Sequence, residues 1–396
     1  MFVVLALALT LGIQPITTDL YLPALPAMTA GFGAPMAHAQ LTLSGLLLAF
    51  GVSQLIWGPL SDRFGRRPIL LWGLALYTLA SVGSTLAPSM VMLIVWRVVQ
   101  GAAMGAVVMC ARAIVRDLYQ PVDGARIMSK GLTGLGVIAC IAAPVGGLLA
   151  EFSGWRAALM APAIFGLVTL VLIALKFRET VPVTNPDALK PATLFGTWLK
   201  LFRHPTFVAW SALSAACYGG LFTFLAASSF VLIGVLHLSK SQYGAVMFAS
   251  SAAYIAGTFL CRRLLPRHGM RRTVGMGAFL SLAGGTSMGV LALAGVLSPW
   301  AIVLPHIVFM LGHGIHQPCG QTGAVGPFPK SAGAASAMNG FVIMLVAFAI
   351  GGWLGTRLDG TVLPLTNGLW LWSVLIALIA WTLVRKHGEP AAARPA

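Results

Sequence analysis

Apolar runs of about 20 residues recur along the whole chain, separated by short polar segments that hold nearly all of its charge. Lipid-facing backbone must satisfy its own hydrogen bonds, so runs this long, rich in Leu, Ala and Met, predict membrane-spanning helices. A transmembrane barrel would show alternating segments of ~10 residues instead, and none occurs. The runs place twelve spans near 2–26, 41–60, 69–88, 91–112, 129–150, 157–176, 206–235, 241–260, 273–296, 300–321, 332–356 and 367–384. The first has no basic lead and continues past Pro15 to Pro26, so it reads as a span and not as a cleaved leader.

Composition agrees with this pattern. Of 396 residues 58% are hydrophobic and 9% charged, whereas a soluble domain carries roughly 25% charge. The net charge of +16 raises nucleic acid as a partner. Its placement excludes that, because the basic residues sit between apolar runs and form no stripe with interleaved aromatics. Segments 61–68, 112–130, 176–205, 261–272, 322–331 and 385–396 hold 21 of the 25 Lys and Arg. These are the alternate loops that face inward if the amino terminus is cytoplasmic, so the positive-inside rule puts both termini in the cytoplasm, in a bacterial inner membrane. Cys110, Cys140, Cys217, Cys261 and Cys319 show no CxxC spacing and read as small packing residues. No phosphate-binding loop, HExxH or GxSxG occurs, so the chain is not expected to be an enzyme or to carry a cofactor.

The longest polar stretch, 177–205, reads as a cytoplasmic linker with an amphipathic piece between a six-helix half at 1–176 and another at 206–396. An internal repeat supports the division. RFGRRP, Arg63 to Pro68, follows the second span of the first half, and RHGMRR, Arg267 to Arg272, follows the second span of the other. Two such halves suit alternating access around a central cavity.

The segment Gly58-Pro-Leu-Ser-Asp-Arg-Phe-Gly-Arg-Arg-Pro68 resembles the signature loop between the second and third helices of the major facilitator superfamily. Thr18-Asp19-Leu20-Tyr21-Leu22-Pro23-Ala24-Leu25-Pro26 and Ala111-Arg112-Ala113-Ile114-Val115-Arg116-Asp117 resemble its Bcr/CflA drug-resistance branch of proton antiporters. The resemblance implies an all-α protein of twelve transmembrane helices that exports drugs or small lipophilic or cationic metabolites in exchange for protons. Proton-coupled uptake by the same fold stays open as the alternative. The expected partners are the substrate, protons and the bilayer, and the chain is expected to act as a monomer.

In the signature loop, Gly58 is read as a close helix approach, Asp62 as a cap of the third helix or a partner of Arg, and Gly65 as a tight reversal, with Arg63, Arg66 and Arg67 on the cytoplasmic side. The resemblance implies that this loop is a latch whose aspartate meets an arginine late in the fourth helix, here Arg112. Leu265 or a neighbour stands where the second copy would need its aspartate, so that copy is expected to keep topology alone.

Asp19 is the one acidic residue inside a predicted span, and an ionised carboxylate in hydrocarbon costs several kcal/mol. It is therefore expected to face the bundle interior or a wet cavity, where it can load and release protons. Arg97 lies at a similar depth, roughly 10 Å below the outer surface, and is expected to pair with it. The resemblance assigns both to proton coupling. Ala143-Pro144-Val145-Gly146-Gly147 resembles the superfamily's antiporter signature, although Ala139 and Ala143 stand where that signature prefers glycine; Pro144, Gly146 and Gly147 are read as a hinge or a seal. Gln14, Tyr21, Gln54, Gln100, Tyr218, Tyr254, His313 and Asn339 are candidate cavity residues. His306, His313 and His316 suggest a metal, but they span about 15 Å of helix without an acidic companion, so none is expected.

Overall fold

A computed structural model of the chain describes residues 2–119, 121–180, 191–328 and 331–388. The described residues are helical, without strands. In order they form α1 (Phe2–Thr18), a 3-10 turn (Leu22–Ala24), α2 (Leu25–Gly31), α3 (Met36–Phe64), α4 (Arg66–Thr85), α5 (Met90–Leu118), α6 (Pro121–Phe152) and α7 (Trp155–Lys176). Then follow α8 (Pro191–Arg203), α9 (Pro205–Ser229), α10 (Lys240–Leu293), α11 (Pro299–Val325), α12 (Ala332–Arg357), α13 (Leu363–Ile379) and α14 (Arg385–His387). Among the described residues, ten segments are long and apolar enough to cross a membrane. One of them, α10, runs for 54 residues but breaks at Gly269 (φ 68°), and so covers the expected spans 241–260 and 273–296. The 27-residue α11 covers the expected span 300–321, where three histidines and two glutamines lower its hydropathy. Part of the expected linker, 181–190, lies outside the described residues.

The internal repeat carries into backbone geometry. Left-handed positions at Gly33, Gly65 and Gly154 recur at His237, Gly269 and Gly360, which lie 204, 204 and 206 residues later. Such φ values cost a side chain 1–2 kcal/mol or so, which is why five of the six are glycine.

The chain divides into two compact units. One comprises Met1–Pro191, His237–Phe248 and Gly351–Leu358; the other comprises Ala192–Leu236, Ala249–Ile350 and Asp359–Ala396. In the first unit α3 packs on α5, α4 on α5 and α7, and α1 on α6. Beyond the end of α1, Leu20 and Ala24 meet Ala142 and Ala150 of α6 and Ala158 of α7 in one buried cluster. In the second unit α9 lies against α11 and α13. Its Trp210 is fully buried and donates from Nε1 to the Gly388 carbonyl at 3.0 Å.

The first span is present as Phe2–Gly31, but its helix is interrupted. Residues 2–26 are not one helix: α1 ends at Thr18, and Asp19 to Tyr21 form a turn before the chain resumes helical geometry at Leu22. Prolines at 23 and 26 lack the amide protons a continuous helix would use there.

Candidate functional site

Asp19 stands at this break, half-buried. Its amide bonds the Pro15 carbonyl at 2.9 Å, and its carboxylate accepts from the Thr18 hydroxyl at 2.7 Å. Arg97 of α5 is 1% exposed and points to the same break without reaching the carboxylate. Its Nη2 donates to Thr17 O at 3.0 Å, its Nε to Thr42 O at 3.3 Å and its Nη1 to Gln100 Oε1 at 2.8 Å. The Tyr21 ring covers the guanidinium, with Cζ 4.1 Å from the centroid. The expected Asp19–Arg97 ion pair is therefore not formed; among the described residues both ion pairs belong to Arg66. The cause is the turn. Similar depth predicted the pairing, but the helix stops at Thr18, and Arg97 meets the Thr17 carbonyl and the Tyr21 ring on either side of Asp19 instead of its carboxylate.

A polar network locks Arg97 from behind. Gln100 donates to Ser81 Oγ at 2.6 Å, Tyr77 and Thr17 share a 2.6 Å bond, and Tyr21 meets Thr42 Oγ1 at 3.2 Å. Tyr21 and Gln100 are thus committed to protein partners, and Gln54 donates to Phe50 O at 3.3 Å. Gln14 is half-buried on α1.

The antiporter-like segment of α6 closes on the same break. A Cβ at Gly146 would stand 1.7 Å from the Leu20 carbonyl oxygen, and one at Gly147 2.6 Å from the Lys240 carbonyl. The backbone of Gly244 in turn abuts Pro144. Three further residues, absent from the sequence reading, hold this packing: Lys240 Nζ donates to Ala150 O at 2.9 Å, and Ser241 donates to Glu151 from its amide at 2.9 Å and from its hydroxyl.

At the other end of the first unit the signature loop forms a charge cluster around Arg66. Its guanidinium bonds Asp62 Oδ1 at 2.6 Å, Asp117 Oδ2 at 2.8 Å and Ser61 Oγ at 2.6 Å. Asp62 thus pairs four residues along its own loop, where Arg112 was expected; Arg66 reaches it because Gly65 reverses the chain at φ 99°. The cap of α4 is not Asp62 either. Glu179, beyond the end of α7, accepts from the Arg66 and Arg67 amides, each at 3.0 Å. Arg67 continues to the Phe177 and Ala174 carbonyls at 2.8 and 3.1 Å, while Arg63 lies over the Phe64 ring. Gly58 is not the close approach: a Cβ there would meet only the Met109 methyl at 3.5 Å, whereas one at Gly101 would stand 2.1 Å from Leu46 O.

In the second unit, Tyr218 stacks near Phe222 with centroids 6.5 Å apart, and Tyr254 donates to Gln317. His313 Nδ1 lies 2.9 Å from Cys217 Sγ. His316 Nε2 faces the Val274 carbonyl at 3.2 Å, so it carries the proton and Nδ1 faces Ser281. His306 stacks on Phe224 at 3.4 Å between centroids, with no hydrogen-bond partner at either ring nitrogen, as also at Asn339 Oδ1. The three imidazoles have different neighbours, and among the described residues no three His, Cys, Asp or Glu converge as metal ligands.

Residues 7–352 match the family model described as Major Facilitator Superfamily. Multidrug resistance protein D of Escherichia coli (strain K12) is 28% identical over 336 residues, covering 85% of this chain and 84% of that protein. The Bicyclomycin resistance protein homolog of Haemophilus influenzae is 26% identical over 353 residues, covering 88% and 87%. Among solved structures, the xylose transporter XylE from E. coli in a partially occluded inward open conformation aligns with TM-score 0.76 at 14% identity, over 100% of this chain and 99% of that one.

Proposed function

Because the chain belongs to the Major Facilitator Superfamily, and is a multi-pass membrane transporter and not an enzyme, we propose that it exports lipophilic or cationic drugs or metabolites from the cytoplasm across the bacterial inner membrane in exchange for protons. Asp19 is the proton-carrying group. Arg97 holds the two broken ends of the first span, and Pro144 to Gly147 form the seal against them. The resistance names of two relatives support the substrate class.

The observation that carries this reading is that Asp19 sits at a helix break, half-buried, with a hydroxyl donor and without the guanidinium of Arg97. A carboxylate at membrane depth costs about 3 kcal/mol unless its charge is met. Two agents can meet it: a proton, or the positive charge of a cationic substrate. They exclude each other at one carboxylate, and that exclusion is the coupling an antiporter needs. An arginine salt bridge would have satisfied the carboxylate permanently and weakened the competition.

Expression in a pump-deficient bacterial host tests the reading through the resistance spectrum. Raised resistance to lipophilic cations or bicyclomycin, abolished by a protonophore, is expected. Unchanged susceptibility to every compound, with normal insertion, rejects drug export.

A further inference from the structure

Two adjoining surface cavities of the first unit point to a bound lipid. The polar one, about 440 Å³, is bounded by Arg67, Phe177, Lys176, Arg178 and Glu179. The other, about 400 Å³, is apolar and runs along α7 past Leu167, Val168, Val171, Leu172, Leu175 and Lys176. They share Leu175 and Lys176, so polar cavity and apolar strip are continuous. The strip from Leu167 to Leu175 covers about 12 Å of helix at 1.5 Å per residue. Leu167, Val168, Val171 and Leu175 are exposed, Leu175 to 78%, and Leu172 is half-buried. The 22 residues of α7 measure about 33 Å, close to the hydrocarbon thickness of a bilayer. Its ends therefore stand at the two headgroup levels, with Trp155 and Arg156 stacked at one and Lys176 at the other.

The charges of the polar cavity select the headgroup. Arg67, Lys176 and Arg178 are cationic, and the one carboxylate, Glu179, already accepts from the Arg66 and Arg67 amides. Arg67 is fixed by two carbonyls, which orient it without neutralising it. Among the described residues, the ion pairs involve neither Arg67 nor Lys176 nor Arg178. A cavity with excess positive charge at headgroup level, opening onto an apolar strip along α7, complements an anionic phospholipid. We propose that it holds one, its phosphate among Arg67, Lys176 and Arg178 and one acyl chain along α7. The lipid would join the start of α4 to the end of α7, beside the cap that Glu179 already makes.

Native mass spectrometry of the full-length protein in detergent, titrated with phosphatidylglycerol and phosphatidylcholine of identical chains, tests the site. Phosphatidylglycerol is expected to bind about a hundredfold more tightly than phosphatidylcholine, and the Lys176→Gln/Arg178→Gln protein to keep only about fivefold of that preference, since each basic residue near a headgroup contributes about fivefold. Val171→Trp, which fills the strip, is expected to weaken both lipids. Equal binding of the two lipids by the wild type, or an undiminished preference in the double variant or in either single one, overturns the proposal. Displacement of the lipid by inorganic phosphate alone would mark a plain anion site and overturn it as well. Melting temperatures in lipid-free detergent that match the wild type establish that the variants are folded.

Discussion

Gly146 lies directly on the backbone of Leu20: a Cβ at that position would come within 1.7 Å of the Leu20 carbonyl oxygen. The residue next to the carboxylate of Asp19 is thereby clamped by α6, and the neighbour is backbone, which cannot rotate aside. Gly146→Ala is expected to force α6 away from the break, at a cost of about 1–3 kcal/mol typical of overpacking. A lowered melting temperature together with loss of export checks it. Gly352, whose Cβ would meet nothing within 4 Å, should accept alanine without either effect.

Arg97 donates to Thr17 O, Thr42 O and Gln100 and has no bond to Asp19. Arg97→Gln should leave buried acceptors unpaired and destabilise the protein by about 2 kcal/mol or more. Lysine should not rescue it, because an ammonium cannot reproduce the guanidinium fork. In a double-mutant cycle with Asp19→Asn, the coupling energy should fall within about 0.5 kcal/mol of zero. A coupling of several kcal/mol would mean that the two side chains do pair.

Glu179 caps α4 from 113 residues away. Glu179→Ala should cost about 1 kcal/mol, the usual worth of a helix cap, and should speed hydrogen exchange at the Arg66 and Arg67 amides by about fivefold. Exchange at α5 should not change.

Among the described residues His237 is the one non-glycine residue with positive φ, at 56°, where its counterpart in the repeat is Gly33. His237→Gly should relieve about 1 kcal/mol of backbone strain, offset in part by glycine's greater freedom when unfolded. A melting temperature at or above wild type is the expected outcome.

Much of this architecture is written in the chain. Apolar runs set the helices, and Gly65 of RFGRRP was legible as a reversal; the reversal at Gly269 of RHGMRR was not read, although positive φ favours glycine at both places. The details of the site are less legible, for definite reasons. Arg97 bonds main-chain carbonyls, which every residue has and which therefore leave no mark in a sequence. Glu179 looks like one more charge in a polar linker until folding brings it to α4. The break at Asp19 did leave a trace in Pro23 and Pro26. Its consequence, a shift that trades an ion pair for the Tyr21 ring, depends on three helices meeting and could not be read from one.

The claim that Asp19 carries the proton is tested most directly by proton flux in proteoliposomes containing the purified protein. With a lipophilic cation as substrate, wild type should accumulate it against its gradient when a pH gradient is imposed and should move protons on substrate addition. Asp19→Asn should do neither, while still exchanging labelled for unlabelled substrate at equilibrium. Gradient-driven accumulation by Asp19→Asn at the wild-type rate would contradict the account.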